Sequence, residues 1–228
     1  MMNCAHQENH SCVHRVPIFE QLTDAEAETL ASAVQSRHYR KGELIFREGE
    51  RSDRLFIVNE GVLKLSKLSG EGKEQIIRFL FPGDFFGQFA LLQEKTHYAN
   101  AEVLAPAIIC TIHKQDFQPI MEQNARMAYR FLLAVSERLA QADDWIGTLS
   151  LMETDRRLAK LLMILYERGN AQAEVRLPVQ KKELAALLGT TPETLSRKLA
   201  DLEQQGLLTV ARNSVVIHQP QLLSELAS

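Results

Sequence analysis

Residues 180–199 read QKKELAALLGTTPETLSRKL, and their pattern predicts two short helices joined by a tight turn. Apolar side chains share one face of the first helix at helical spacing, namely Leu184, Leu187 and Leu188. Gly189 then breaks the helix, because glycine adopts the left-handed backbone conformation at little cost. The second helix continues with Leu195, Leu199 and Leu202 on its inner face. The pattern predicts a helix-turn-helix.

Two starts are compatible with the second helix. Thr191 can be its N-cap, with Pro192 at the first helical position. Thr190 with Glu193 offers a competing capping box, one residue earlier. The sequence leaves the start open by that one residue.

The outer face of the second helix presents Glu193, Ser196 and Arg197 together, at spacing i, i+3, i+4. A carboxylate accepts from a cytosine amine and a guanidinium forks onto a guanine, so the group can read base edges. A solvated helix face is the alternative. Lys181 and Lys182 suit phosphate contacts. The predicted DNA-binding set is Glu193, Ser196, Arg197, Lys181, Lys182, Thr191 and Lys198.

The segments around this motif favour DNA binding over a merely solvated face. Residues 207–210 and 215–217 read as strands around a turn at Arg212, which predicts a β-hairpin. Residues 175–179 form another short apolar stretch upstream. A helix-turn-helix with an adjoining hairpin is a winged helix.

Composition bounds the remaining possibilities. The chain has 228 residues, enough for two domains, and a formal net charge of −3. No apolar run is long enough for a membrane span or a signal peptide, so a cytoplasmic protein without membrane contact is expected. Three cysteines argue against a framework of structural disulfides. Histidines 38, 97, 113 and 218 are isolated, and no phosphate-binding glycine loop occurs, so an enzyme is not expected.

The N-terminal half alternates short β-rich segments with glycine and proline turns, which predicts an antiparallel sandwich or roll. The order of Lys41-Gly42-Glu43, Glu48-Gly49, Gly61-Val62-Leu63-Lys64 and Pro82-Gly83-Asp84-Phe85-Phe86-Gly87 resembles the cyclic-nucleotide-binding-type β-roll. Together with the winged helix, nearly the whole chain resembles the CRP/FNR family of transcription regulators, and within it the FNR-like proteins of lactic acid bacteria.

This resemblance implies an α+β fold in which an N-terminal antiparallel β-roll (jelly roll), a long dimerisation helix and a C-terminal winged helix-turn-helix follow one another. The expected parts are a Cys/His-rich tail (1–15), the roll as sensor domain (16–117), the dimerisation helix (118–150) and the DNA-binding domain (151–228). The resemblance also implies RNA polymerase as a partner. The set Glu193, Ser196 and Arg197 is similar to the FNR-type reading set, which implies an inverted repeat of a TTGAT-type half-site.

The chain departs from the cyclic-AMP-binding members at the positions that hold the nucleotide. Gln88 stands in place of the ribose-binding Glu, and Tyr98 and Ala99 stand in place of the Arg-Ser pair for the phosphate. No arginine occurs between Arg78 and Arg126. A phosphate without a guanidinium partner is poorly compensated, so no cyclic nucleotide is expected.

The helical run between the domains carries a heptad pattern, typical of a helix that pairs with another. The residues at spacings 4, 3, 4, 3, 4, 3 are Ala128, Leu132, Val135, Leu139, Ala142, Ile146 and Leu149. We call these seven residues the α-helical seam. They predict a homodimer, and a two-fold dimer suits a palindrome. Gly147 and residues 153–155 are expected to form a hinge into the next helix.

The N-terminal tail is rich in soft metal ligands, which are Cys4, His6, His10, Cys12 and His14. Cys110 aligns with the distal cluster cysteine of FNR-type oxygen sensors, but those sensors place three closely spaced cysteines in the tail. Two tail cysteines make a four-cysteine iron–sulfur cluster unexpected. A reversible disulfide between Cys110 and either Cys4 or Cys12, as the resemblance implies, is one hypothesis. One alternative is a zinc-like soft metal bound by the tail residues, with or without Cys110. The others are a haem or small ligand as the signal, and a tail without function.

Overall fold

The computed structural model describes residues 12–13, 16–19, 22–51, 53–93, 95–169 and 171–227. The chain divides into two compact units, Met1–Leu139 and Ala140–Ser228. The sequence placed the start of the DNA-binding domain at residue 151, whereas the division falls inside a long helix, α4 (Ala125–Leu151).

The first unit contains the predicted antiparallel roll. Its elements are a 3₁₀ helix (Pro17–Phe19), α1 (Asp24–Ala33), β1 (Gln35–Tyr39), β2 (Leu44–Phe46), β3 (Arg54–Leu68), β4 (Glu74–Leu80), β5 (Phe85–Phe86), α2 (Phe89–Leu92), β6 (Asn100–His113) and α3 (Lys114–Gln123). The main sheet has the order β1-β6-β3-β4, with β2 paired to β6 and β5 paired to β3. The longest ladder joins β3 to β6, from Arg54 opposite His113 to Ser66 opposite Asn100.

Strand β3 continues through Gly61, whereas the pattern of short segments separated by glycine turns predicts a break at this glycine. Gly61 has a φ of +91°, and the register with β6 shifts on both sides of it. A Cβ at this position would lie 2.6 Å from the Cβ of Ala107. Glycine is therefore required both for the backbone conformation and for the close approach of β6, and the irregularity bends the strand without ending it.

One hydrophobic core joins the N-terminus to the helices. We call the described residues at the start of this core, Cys12, Val13 and Val16–Phe19, the N-terminal strap. Every side chain of the strap except that of Pro17 is buried. The Phe19 ring lies 6.1 Å from that of Phe117 on α3, measured between centroids. Phe117 in turn contacts Phe131 on α4, at 5.9 Å. Burying aromatic rings in this way contributes strongly to folding and ties the strap to α4.

The helical run predicted for residues 118–150 is two helices, because α3 ends at Gln123 and α4 begins at Ala125. Asn124 separates them. Its side-chain oxygen accepts from the Met127 amide at 2.9 Å, which caps the start of α4, and its amide donates to Glu26 at 2.8 Å. The expectation that Gly147 forms part of a hinge is wrong, since this residue lies inside α4. The helix ends at Leu151, and the next helix begins at Thr154.

A second core fills the roll and contains a histidine. His97 is 6% exposed, and its ring stacks on Phe46 with centroids 3.4 Å apart and planes within 2°. Phe46 also contacts Phe56 and Phe86. Burial lowers the pKa of His97 from 6.5 to about 4, and the charges of Glu50 and Asp53 oppose this shift only in part. His97 is therefore neutral at physiological pH, and its planar ring packs in the apolar core like an aromatic side chain.

The second unit contains the predicted winged helix. Besides the end of α4, its elements are α5 (Thr154–Arg168), β7 (Glu174–Arg176), α6 (Lys181–Leu187), α7 (Pro192–Gln204), β8 (Leu208–Val210), β9 (Ser214–Ile217) and α8 (Pro220–Leu226). The sheet order β7-β9-β8 places the predicted hairpin beside the short upstream strand. Among the residues that the structure describes, no helix is both long and apolar enough to cross a membrane.

The histidine in the roll core predicts a loss of stability in mild acid. The unfolded chain takes up a proton near pH 6.5 and the folded chain near pH 4, so the contribution of His97 is complete above pH 6.5 and is lost as the pH falls towards 4. At about 1.4 kcal/mol per pH unit, the loss approaches about 3 kcal/mol. Urea denaturation of His97→Phe across this range should show a flatter pH dependence than wild type.

The exposed Leu68 on β3 provides a control that removes no titrating group. Leu68→Ala should keep the wild-type pH dependence of the unfolding free energy. An unchanged slope in His97→Phe would contradict the assignment of a neutral, buried His97.

Candidate nucleic-acid interface and cysteine site

The two helices of the motif are held by their apolar faces. On α7, Leu195, Leu199 and Leu202 are each at most 2% exposed, and they face the buried Leu184 and Leu187 side of the motif. Gly189 has a φ of +63°, as the turn requires. This packing fixes which side of α7 points outward.

The start of α7, left open by the sequence, is at Thr191. Its side-chain oxygen accepts from the Thr194 amide at 3.2 Å, and Pro192 occupies the first helical turn. This bond satisfies one of the unpaired amides of the helix start. Thr191 therefore has a structural role in addition to its predicted DNA contact.

Glu193, Ser196 and Arg197 are all exposed on the outer face of α7. Within the described part of the chain, no hydrogen bond or ion pair occupies their side chains. The face thus carries a carboxylate, a hydroxyl and a guanidinium that are available to a ligand. Such a face on a helix start can enter a major groove and contact base edges.

The predicted lysine contacts differ in their availability. Lys182 is exposed, with its amine 3.4 Å from Glu183, whereas Lys181 is half-buried. Lys198 is paired with Asp155 on α5 at 3.4 Å. Burial tends to raise the pKa of Asp155, but the Arg156 amide and the charge of Lys198 outweigh it, so the pKa is lowered. The pairing was missed in the sequence because the two residues lie on different helices.

The cysteines come together in the first unit. Cys12 of the N-terminal strap and Cys110 of β6 form a disulfide, with their Cα atoms 6.5 Å apart and a sequence separation of 98. Both residues are fully buried. The sequence had left the partner of Cys110 open, and the structure pairs it with Cys12. Cys4 lies outside the described residues.

The predicted metal site falls largely outside the described part of the chain. Cys4, His6, His10 and His14 lie there, and the sulfur of Cys12 is bonded to Cys110. Among the described residues, no group of three or more His, Cys, Asp or Glu side chains could hold a metal ion.

The roll positions that departed from the nucleotide-binding pattern are arranged as an apolar contact. The ring of Tyr98 meets that of Phe89 edge-on, with centroids 5.2 Å apart. Ala99 is buried and Tyr98 is 37% exposed. Gln88 precedes α2 and makes no capping bond with its side chain. The corner therefore presents the phenol of Tyr98, with the methyl group of Ala99 buried behind it.

The α-helical seam lies along an open face of α4. Leu132, Leu139 and Ile146 are each more than 60% exposed. Ala142 is exposed, whereas Ala128, Val135 and Leu149 are half-buried. Large exposed leucine and isoleucine side chains in a row mark an interaction surface. Packing of this row against the roll of the same chain does not match the exposure of Leu132 and Leu139.

Two family models match the chain. The cyclic nucleotide-binding domain matches residues 36–124. The Crp-like helix-turn-helix domain matches residues 156–226. The first match covers most of the roll and the second covers nearly the whole winged helix.

Individual proteins match over nearly the full chain. A probable transcriptional regulator, flp, of Lacticaseibacillus casei is 29% identical over 218 residues, which are 96% of this chain and 99% of that protein. The cyclic AMP receptor protein of Thermus thermophilus is 29% identical over 211 residues, covering 92% and 96%. Among solved structures, FixK2 from Bradyrhizobium japonicum has a TM-score of 0.79 at 26% identity, covering 86% of this chain and 98% of its own.

Proposed function

Because the chain belongs to the CRP/FNR family of transcription regulators, we propose that it is a homodimer that binds a DNA palindrome and responds to the thiol state of Cys12 and Cys110. Members of this family regulate transcription and are not enzymes. The free outer face of α7 supports DNA binding, and the buried disulfide supports the choice of signal. We further propose that the protein acts in the cytoplasm, on promoter DNA, with RNA polymerase as its partner.

DNA reading is assigned to the three unpaired residues of α7. Arg197 donates to the O6 and N7 atoms of a guanine, and Glu193 accepts from a cytosine amine. The Ser196 hydroxyl can form a hydrogen bond with a base next to this guanine–cytosine pair. A TTGAT-type half-site provides one guanine on one strand and its paired cytosine on the other. Lys182 lies at the start of α6, where an amine suits a phosphate contact.

Replacing the reading arginine should relax sequence preference. Arg197→Ala should lose about 1–3 kcal/mol of binding to an inverted repeat of TTGAT half-sites, because a bidentate guanine contact disappears. Its affinity for the same duplex with the guanine replaced should change little. Fluorescence anisotropy at fixed salt measures both affinities.

Lys182→Ala is the matched control for a phosphate contact. It should weaken binding to both duplexes by the same factor and reduce the salt dependence. Equal losses on both duplexes in Arg197→Ala would contradict base reading by Arg197.

Homodimer formation is assigned to the α-helical seam. Its exposed leucine and isoleucine residues suit knobs-into-holes packing against a second copy of α4. A two-fold pair also presents two α7 helices to the two half-sites of a palindrome. The heptad spacing and the exposure of the same residues support this proposal independently.

Charge on the seam should separate the two subunits. Leu139→Glu places two like charges at the apolar interface of the dimer, so sedimentation velocity should show a monomer at concentrations where the wild type is dimeric. Leu68→Glu, at an exposed position on the end of β3, should remain dimeric. A dimeric Leu139→Glu would exclude the seam as the interface.

The disulfide lies in the core that also holds α4, which supports a route from thiol to dimer helix. Cys12 and Cys110 share this core with Phe85, Phe131 and, at its edge, the seam residue Val135. Loss of the covalent link changes how firmly the strap packs on this core. Since Phe131 and Val135 lie on α4, a change in packing reaches the helix directly.

Arg138 provides a second connection between α4 and the roll. Its guanidinium lies over the ring of Phe85, 3.8 Å from the centroid, and donates to the Phe85 carbonyl. It also lies 3.6 Å from a carboxylate oxygen of Asp84. The ring of Phe85 also lies 5.4 Å from that of Phe131. A shift of Phe85 therefore acts on α4 at Phe131 and at Arg138, which are two helical turns apart.

Redox state should change DNA affinity through this cysteine pair. Oxidised and reduced wild type should differ in affinity for the palindrome, and the difference should vanish in both Cys110→Ser and Cys12→Ser. Cys4→Ser is the control and should keep the difference. Equal affinity of the two wild-type states would contradict the thiol switch and leave a soft metal, haem or another ligand as the signal.

Cyclic nucleotide is not the proposed signal, although one relative is named a cyclic AMP receptor protein. Tyr98 and Ala99 give a phosphate no cation at the expected corner. Arg78 is the nearest preceding arginine in sequence, and it lies on β4 opposite Leu65. We therefore expect no binding of the anionic phosphate.

Calorimetric titration of cyclic AMP into the purified protein should show no saturable heat at millimolar ligand. Even a weak site, with a Kd of about 1 mM and a binding free energy of about −4 kcal/mol, would be detected at this concentration. Saturable binding that disappears in Arg78→Ala would contradict the prediction and would assign the phosphate contact to that residue.

A further inference from the structure

In the part of the chain that the structure describes, neither sulfur of the disulfide is exposed to a reductant. Cys12 and Cys110 are both fully buried. Thiol–disulfide exchange requires a thiolate to approach a sulfur atom directly. Some part of the structure must therefore move before the bond can be reduced.

The strand that carries Cys110 is a poor candidate for this movement. Cys110 lies within β6, three residues before its end, and is paired on both sides, opposite Ser36 of β1 and Ile57 of β3. Exposing its sulfur from this side would require breaking two ladders of backbone hydrogen bonds. Such central strands open only at free energies close to global unfolding.

The N-terminal strap is held differently. Among the described residues, its backbone bonds are local, from the Phe19 amide to Val16 and from the Leu22 amide to Phe19. Its attachment to the roll consists of buried apolar side chains and the disulfide itself, and the side chains are Val13, Val16, Ile18 and Phe19. A short 3₁₀ segment outside the sheet, such as Pro17–Phe19, opens at lower free energy than a strand that is paired on both sides.

We propose that the N-terminal strap is a gate for the disulfide, which becomes reducible only when Val13 and Val16–Phe19 lift from the roll core by local opening while Cys12 stays bonded to Cys110. The biological meaning of this gate rests on the proposed thiol switch. The gate makes the response depend on how often the strap opens as well as on the redox potential. The protein then responds to sustained reduction and is insensitive to brief exposure to thiols.

The exchange itself is balanced with a dithiol as the reductant. One thiolate of the dithiol bonds to the Cys12 sulfur, the Cys12–Cys110 bond breaks, and the Cys110 sulfur leaves as a thiolate that takes up a proton. The second thiol of the reductant then attacks the mixed disulfide and releases Cys12 as a thiol. The reductant leaves as a cyclic disulfide, so two electrons and two protons pass to the protein.

The test measures the rate of reduction of the oxidised, full-length protein by dithiothreitol, with acid quenching, alkylation and mass analysis. The native protein should be reduced at least about 100-fold more slowly than the same protein unfolded in urea, because access requires opening. Low urea, below the unfolding transition, should raise the native rate only slightly, since local opening exposes few residues. Rates within a few-fold of the unfolded protein would overturn the gate.

Strap variants separate local opening from global unfolding. Val16→Ala and Phe19→Ala should accelerate reduction by about 10-fold or more, and by more than their change in global stability accounts for. Leu68→Ala, on the exposed end of β3, should leave the rate unchanged. If the rate in every variant follows global stability alone, access occurs by complete unfolding and the proposal is wrong. Val16→Ala, which removes less volume, keeps the test possible if Phe19→Ala does not fold.

The reduction rate is measured without DNA, so the gate and the thiol switch are tested independently of each other. Equal DNA affinity of oxidised and reduced protein would contradict the thiol switch and leave the gating rates intact. Fast reduction of the native protein would contradict the gate and leave a redox effect on DNA binding intact.

Discussion

The pairing of β3 with β6 is the constraint on which the first unit depends. This ladder runs from Arg54 opposite His113 to Ser66 opposite Asn100 and joins segments far apart in sequence. Because β1 and β2 pair with β6, and β4 and β5 pair with β3, every other strand of the roll is placed by it. Closing such long loops costs entropy, and the buried residues of both strands offset that cost. The position of Cys110 follows directly from this ladder.

The same ladder determines what the cysteine pair can influence. Phe85 is delivered by β5, which pairs with β3, and it meets Phe131 of α4. The strap is connected to the same residue of α4 through Phe19 and Phe117. A disulfide that closes a loop of nearly 100 residues stabilises a fold by about 4–5 kcal/mol in the chain-entropy view. Because this contribution acts through the unfolded chain, loss of the disulfide lowers the stability of the first unit, whose core also packs against the N-terminal half of α4.

Electrostatics in the roll illustrates the limit of pattern reasoning. In an alternating strand Lys64 belongs on the solvent face, yet it is 6% exposed. Its amine lies 2.7 Å from Glu74 and 3.1 Å from Glu102. Burial lowers the pKa of Lys64, but the two carboxylates outweigh it and the pKa is raised. A buried charge is tolerated only when it is paired, and the partners come from two other strands. His97 is the opposite case, a buried group that remains neutral.

The sequence by itself determined the two-part architecture, the helix-turn-helix with its outward residues Glu193, Ser196 and Arg197, and the heptad seam of α4. These features follow from local periodicity and turn chemistry, which a single sequence carries. Tertiary structure alone decided the break at Asn124, the continuation of β3 through Gly61, the ion pair that occupies Lys198, and Cys12 as the partner of Cys110. Each of these depends on a residue brought in from another element. Contacts between distant residues leave no periodic signal in the sequence. Packing and charge decide which residues meet only when folding brings the elements together.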